Sequence, residues 1–288
     1  MTLIGILLAL GMERALGHFR GWGQPVLFLA LMRGLHRIAP AGLWRSQALP
    51  LLVVVIPSAL VWWGREQIGS PLLELAISAT ILLLCLGPRD LAEEVHELIK
   101  AREAGDRERA EHLSRALQRG PNPGESHRTL LGALFIQSHE KLFGVLIWFF
   151  LVGPAGAVAY RIASRLPRFL SETAADSGAL RWADLIHAAL AWFPARCTAL
   201  LFGMAGSLDD ALHAWRALMR DPEHEWRMQT WAVLAEVPTA SLDFEEADGA
   251  AVVPATLEAT MREVLRMQWR ALLILLACFA LFATGTLL

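Results

Sequence analysis

The sequence predicts an all-α, polytopic helical membrane protein with amphipathic helical cytoplasmic segments. Three observations carry this. Of 288 residues, 55% are hydrophobic and only 19% charged, with a mean hydropathy of +0.42. The apolar residues gather into runs that approach the roughly 20 helical residues needed to cross a hydrocarbon core of about 30 Å. Between the runs lie arginine-rich stretches whose apolar residues recur at helical spacing. A single membrane domain over 1–288 is the expected organisation.

The N-terminal "MTLIGILLALGMERALGHF" lacks a basic n-region and a small-residue cleavage site, so it reads as retained and not as a signal peptide. Its first 12 residues would cover only about 18 Å as a helix. Residues 1–19 therefore either span, with Glu13 and Arg14 at the inner edge, or insert part way. Spans are then predicted at 46–63, 71–87, 140–160, 182–206 and 270–288, the second carrying Glu74 near its start. Trp44 and the Trp62-Trp63 pair bracket the first of these, and Trp182 and Trp269 mark later edges, as interfacial rings do. Trp148 and Trp192 read as core residues.

The polar segments are 88–128 and 207–269. Asp90 is a predicted N-cap for a helix carrying Leu91, Val95 and Leu98, Gly105 breaks it, and Asp106 starts a second helix with Ala110, Leu113 and Leu117 on one face. Glu103 with Arg107 and Glu111 with Arg115 are spaced as i,i+4 pairs of a solvated face. "RGPNPGES" at 119–126 is a break. Ser207 is the expected N-cap of a helix striped by Leu208, Leu212, Trp215 and Met219, followed by a turn at Asp221-Pro222, a further helix, and the acidic loop "DFEEADG". A helix over 256–268 runs on into the last span. Arginine distribution places 14–45, 88–141 and 207–270 in the cytoplasm, although Arg161, Arg165, Arg168 and Arg181 then fall outside.

Several function classes are disfavoured. The net charge of -2 carries no nucleic-acid signature. Cys85, Cys197 and Cys278 lie far apart in apolar segments and read as inert thiols. There is no G-K dipeptide, G-x-S-x-G, H-E-x-x-H or G-x-G-x-x-G, so the residues assign no catalytic group, no metal and no cofactor. No internal repeat supports a permease.

What remains is a set of polar groups within apolar helices, which are costly in lipid and face a bundle interior or a water-filled cavity. In "LAWFPARCTALLFGMAG", Pro194 removes a backbone N-H, so carbonyls near position 190 become free acceptors for a guanidinium or water. Arg196 is then either a structural clamp or a bidentate holder of an anion. Asp184 and His187, three apart, share a face on which the imidazole could donate to the carboxylate; alternatively Asp184 sits in water at the outer interface. Glu13 and Glu140 are the candidate countercharges for Arg196. Ala195, Ala199 and Gly203 form one small-residue ladder, and Gly153, Ala157 and Ser164 another, on helices that could pack together.

"FFLVGPAGAVAYRIASRL", "WADLIHAALAWFPARCTALLFGMAG", the early "MER" and the order of spans resemble the AmpE family over nearly the whole chain. That family is in turn similar to the CobD/CbiB proteins, membrane synthases that join an amino-alcohol phosphate to adenosylcobyric acid using ATP. The synthases carry E-N-x-x-D-G where this chain has "SHEKLFG". They carry Y-[RK]-x-x-N-T-L-D where "YRIASRLP" places Ser164, Arg165 and Pro167. Before P-A-R they have D-D-x-x-N, against His187, Ala188 and Ala191 here. Carboxylates suited to Mg-ATP chemistry are absent at these three places, while Tyr160-Arg161 and Pro194-Ala195-Arg196 are kept.

The AmpE resemblance implies a multi-pass protein of the bacterial inner (cytoplasmic) membrane, a signalling modulator linked to cell-wall-stress sensing and β-lactamase induction. The expected function is non-catalytic, with Arg196, His187, Asp184, Arg161, Tyr160, Glu13 and Glu140 as ligand-binding candidates for a small anionic ligand. Its expected partners are the lipid bilayer and that ligand or a cell-wall-pathway protein, with no nucleic acid. The alternative is an ATP-dependent, amide-forming synthase of the CobD/CbiB type with an altered substrate.

Overall fold

A computed structural model of the chain describes residues 2–16, 28, 30–32, 34–35, 42, 44, 46–86, 91–118, 120–121, 130–173, 178–220, 225–242 and 256–285. Every regular element among them is helical. In chain order they are α1 (Thr2–Leu16), α2 (Ala48–Glu66), α3 (Pro71–Leu86), α4 (Leu91–Glu103), α5 (Arg107–Leu117), α6 (Leu130–Ser138), a π turn (His139–Phe143), α7 (Gly144–Val152), α8 (Pro154–Thr173), α9 (Gly178–Ala205), α10 (Leu208–Arg220), α11 (Trp226–Ala240) and α12 (Leu257–Gly285). Among the described residues five stretches are long and apolar enough to cross a membrane: Ala48–Glu66, Pro71–Glu103, Leu130–Val152, Gly178–Ala205 and Leu257–Gly285. The chain is an all-α, multi-pass membrane protein.

Its residues form two compact units, one of Met1–Arg89 with Glu140–Pro194, the other of Asp90–His139 with Ala195–Leu288. In the first, α2 packs along α8, α7 against α8, and α1 against α3. One core of this unit joins Leu49, Val53 and Val54 of α2 to Ile162, Ala163, Leu166 and Leu170 of α8 and to Ala179 and Ala183 of α9. The outer face of α2, with Leu51, Leu52, Val55, Ile56 and Leu60 exposed, is the kind of surface that lipid covers. Arg65 and Glu74 close the joint between α2 and α3 at 2.6 Å.

In the second unit α11 packs on α6 and α10, and α4 on α5. Ala199 of α9, Ala211 and Leu218 of α10 and Ala232, Val233 and Val237 of α11 make its small-residue core. A Cβ added at Gly203 would lie 2.8 Å from the Ala211 Cβ, so Gly203, with Ala199 in the same core, serves close approach of α10. Asp106 caps α5 by accepting from the Arg109 N-H at 3.1 Å, after Gly105 turns the chain at φ +72°. The Ser207 hydroxyl donates to the Asp210 carboxylate at 2.6 Å at the start of α10. Both starts are those the sequence predicts. Glu111 and Arg115 pair at 3.1 Å, whereas Glu103 reaches Arg262 of α12, and Arg102 pairs with Glu258 at 2.5 Å.

The structure corrects four expectations. The span expected at 140–160 is displaced to 130–152, because Gly153 takes φ +80° and Pro154, which has no N-H, begins a new helix. Gly153 is consequently a break and not part of a helical small-residue face with Ala157 and Ser164. α8 is an amphipathic helix that is not among the spanning stretches. Trp44 is buried beside Phe169, while Trp192, read as core, is exposed. Asp90, Asp221-Pro222, the acidic loop and most of the 119–126 break lie outside the described residues.

Candidate functional site

The site in the first unit is built on a local departure from α-helical geometry. α6 and α7 are one continuous rod except for the π turn at "HEKLF", where i→i+5 bonding widens the helix. When α register resumes at Gly144, the wider turn leaves a main-chain carbonyl over. Arg161 of α8 donates from Nη1 to the carbonyl of Glu140 at 3.2 Å. Its Nη2 donates at 2.8 Å to the carbonyl of Leu86 in α3. Arg161 is therefore a brace tying α3 and the π turn to α8. Glu13 of α1 and Glu140 both act electrostatically on its guanidinium.

Glu140 presents its side chain to His187 of α9, with Oε1 3.2 Å from Nε2. Both groups are nearly sealed, at 13% and 4% side-chain exposure, so whatever charge they carry interacts strongly. The ring of Tyr160 lies 6.2 Å from the His187 ring, centroid to centroid. Tyr160 is seated in a notch that only glycine permits, since a Cβ on Gly144 would stand 2.4 Å from its ring. A buried carboxylate facing an imidazole can hold or pass a proton, which is what acid-base steps need.

The carboxylate beside His187 is thus that of Glu140, on a different helix, and Asp184 is exposed. Glu140, expected from sequence as a countercharge, faces His187. Arg196 falls in the second unit, half-buried, with Nη2 3.4 Å from the Gln229 side-chain oxygen of α11. The carbonyl that Pro194 leaves without a donor is that of Leu190. It accepts from the Trp148 indole Nε1 at 2.9 Å.

Arg161, Tyr160, Glu13, Glu140 and His187 come together in one unit, which also contains Asp184, exposed; Arg196 belongs to the other unit. Sequence reading missed the π turn, whose only signal is three polar residues, His139 to Lys141, in an apolar helix. Trp148 as donor and Gln229 as partner carried no sequence signal. In the second unit His139 and Thr198, both fully buried, share a 2.9 Å hydrogen bond. Among the described residues no three His, Cys, Asp or Glu side chains converge as a metal cage.

Residues 6–238 match the family described as CobD/Cbib protein. This chain belongs to the CobD/CbiB family. It is 28% identical over 227 residues to "Cobalamin biosynthesis protein CobD" of Chromobacterium violaceum, covering 73% of this chain and 71% of that protein. It is 27% identical over 184 residues to the protein of the same description from Stutzerimonas stutzeri, covering 60% of this chain and 58% of that one. No solved structure matches. The family match and both relatives overturn the reading of the chain as an AmpE-type signalling modulator of β-lactamase induction and antibiotic response. The wider resemblance to CobD/CbiB proteins is the part that holds.

Proposed function

We propose that this chain is a synthase of the CobD type, acting in cobalamin biosynthesis in the bacterial inner membrane. Its reaction would form an amide between the amine of an amino-alcohol phosphate and a carboxyl of adenosylcobyric acid, driven by ATP. The observation that carries the reading is the family match over 6–238, which contains Glu13, Glu140, Tyr160, Arg161, His187 and Arg196.

The buried Glu140–His187 pair supplies what such a reaction asks of a protein, a group that removes a proton from the attacking ammonium. Magnesium accompanying ATP takes one or two protein carboxylates and completes its shell with phosphates and water. Glu13, which acts on the Arg161 guanidinium, would be the carboxylate of this cluster to meet it, since Glu140 faces His187; the altered motifs at 139–144, 164–167 and 187–191 point to a changed substrate. The test is restoration of cobalamin synthesis in a bacterium lacking its own CobD, together with ATP- and magnesium-dependent amide formation by the purified chain. Growth and product formation are expected. Failure of both across a series of amino-alcohol phosphates would overturn the reading.

A further inference from the structure

Arg165 has no role in the cluster as described. It lies one turn after Arg161 on α8, with Arg168 one turn further, so three guanidiniums share a face. Their situations differ. Arg161 is committed to the carbonyls of Leu86 and Glu140. Arg168 is exposed, 3.9 Å from Glu172, too loose to hold it. Arg165 is partly buried between them and makes no ion pair or hydrogen bond among the described residues; Glu140 is the one carboxylate acting on it from a distance. Burial first, and then Arg161, push its guanidinium down to about 9, still charged at neutral pH.

Holding a partly desolvated cation beside two others is unfavourable unless an anion completes the site. Arg165 and Arg168 on one helix face, with the charge of Arg161 one turn before them, match the charge and fork geometry of a phosphate group. We propose that Arg165, with the exposed Arg168 one turn further along α8, binds the phosphate group of a phosphorylated ligand. Only the identity of that ligand, a phosphate-bearing substrate, rests on the synthase reading; a phosphate on a lipid headgroup has the same chemistry. The adjacent Glu140–His187 pair would then stand close to the bound substrate, with Arg161 fixing the intervening main chain.

The full chain, unaltered, is treated with phenylglyoxal, which modifies guanidiniums, and modification of each arginine is read by peptide mass spectrometry. Inorganic pyrophosphate is expected to slow modification of Arg165 about tenfold, the equivalent of one charge-assisted contact, and to leave Arg115 unchanged. Arg165→Gln is expected to weaken pyrophosphate binding in calorimetry by about the same factor; if that variant does not accumulate, labelling of the unaltered chain decides. In nanodiscs, protection by pyrophosphate in phosphatidylcholine assigns a soluble phosphate, and protection by phosphatidylglycerol alone assigns a headgroup. No protection of Arg165 in either arm overturns the site. Protection without amide formation keeps the phosphate site and overturns the synthase reading, whereas amide formation without protection does the reverse.

Discussion

The Trp148 indole donates to the carbonyl of Leu190 at 2.9 Å, and Leu190 stands four residues before Pro194. A proline at that spacing removes the N-H that would have bonded this carbonyl. The structure thus replaces a lost main-chain bond by a side-chain bond from α7 to α9. Trp148→Phe should destabilise the protein by about 1–3 kcal/mol, the cost of a stranded buried acceptor. Adding Pro194→Ala, which restores the N-H, should recover much of that loss. Thermal unfolding of the four chains of this cycle in detergent checks it; equal losses with and without Pro194 would remove the compensation argument.

Gly144 and Gly206 are both places of close approach, but with different neighbours. A Cβ at Gly144 meets the Tyr160 ring at 2.4 Å, and one at Gly206 meets the Ser241 carbonyl oxygen at 2.1 Å. Each Gly→Ala change should cost about 1–3 kcal/mol by overpacking. Tyr160→Leu should relieve the first, since a smaller side chain leaves room, and no side-chain change at 241 should relieve the second, where the obstacle is backbone. Melting temperatures of the single and double variants distinguish the two.

Between α4 and α12, Arg102 with Glu258 and Glu103 with Arg262 form pairs that the i,i+4 spacing of Glu103 and Arg107 did not suggest. These groups are largely solvent-exposed, so reversing one charge, as in Glu103→Arg, should cost no more than about 1 kcal/mol. The double swap Glu103→Arg with Arg262→Glu should restore it. Both effects should fade in 1 M salt, where the screening length is about 3 Å. Unfolding in low and high salt reads the difference.

If the Glu140–His187 pair moves the proton of the proposed reaction, His187→Gln should lower amide formation by about 10²- to 10⁴-fold. Glutamine can still hydrogen-bond Glu140, so the melting temperature should change little. A structural role would show the opposite pattern, with lost stability and a retained rate per folded molecule. Rates and melting curves on the same preparations decide it.

The legible parts of the molecule are those in which a local rule is sufficient. Gly105 and Asp106 place the α4–α5 turn, Ser207 starts α10, and the apolar runs at 46–63, 71–87, 182–206 and 270–288 overlap stretches that are long and apolar enough to cross a membrane, because capping and hydrophobic length are properties of adjacent residues. The displaced third span shows the limit. After Glu140 and Lys141 the run to 160 carries no charge, and the backbone state of Gly153 ahead of Pro154 ends the helix inside it.

The sequence by itself determined that the chain is helical and membrane-embedded, that Pro194 would leave a carbonyl near 190 in need of a donor, and which polar side chains would be costly to bury. Tertiary structure alone decided the partners: Trp148 for Leu190, Glu140 in place of Asp184 for His187, main-chain carbonyls for Arg161, and Gln229 for Arg196. The physical reason is that burial creates the demand for a partner, and burial is visible in hydropathy. Which group meets the demand depends on how helices distant in sequence are rotated against one another, and no residue's neighbours in the chain record that.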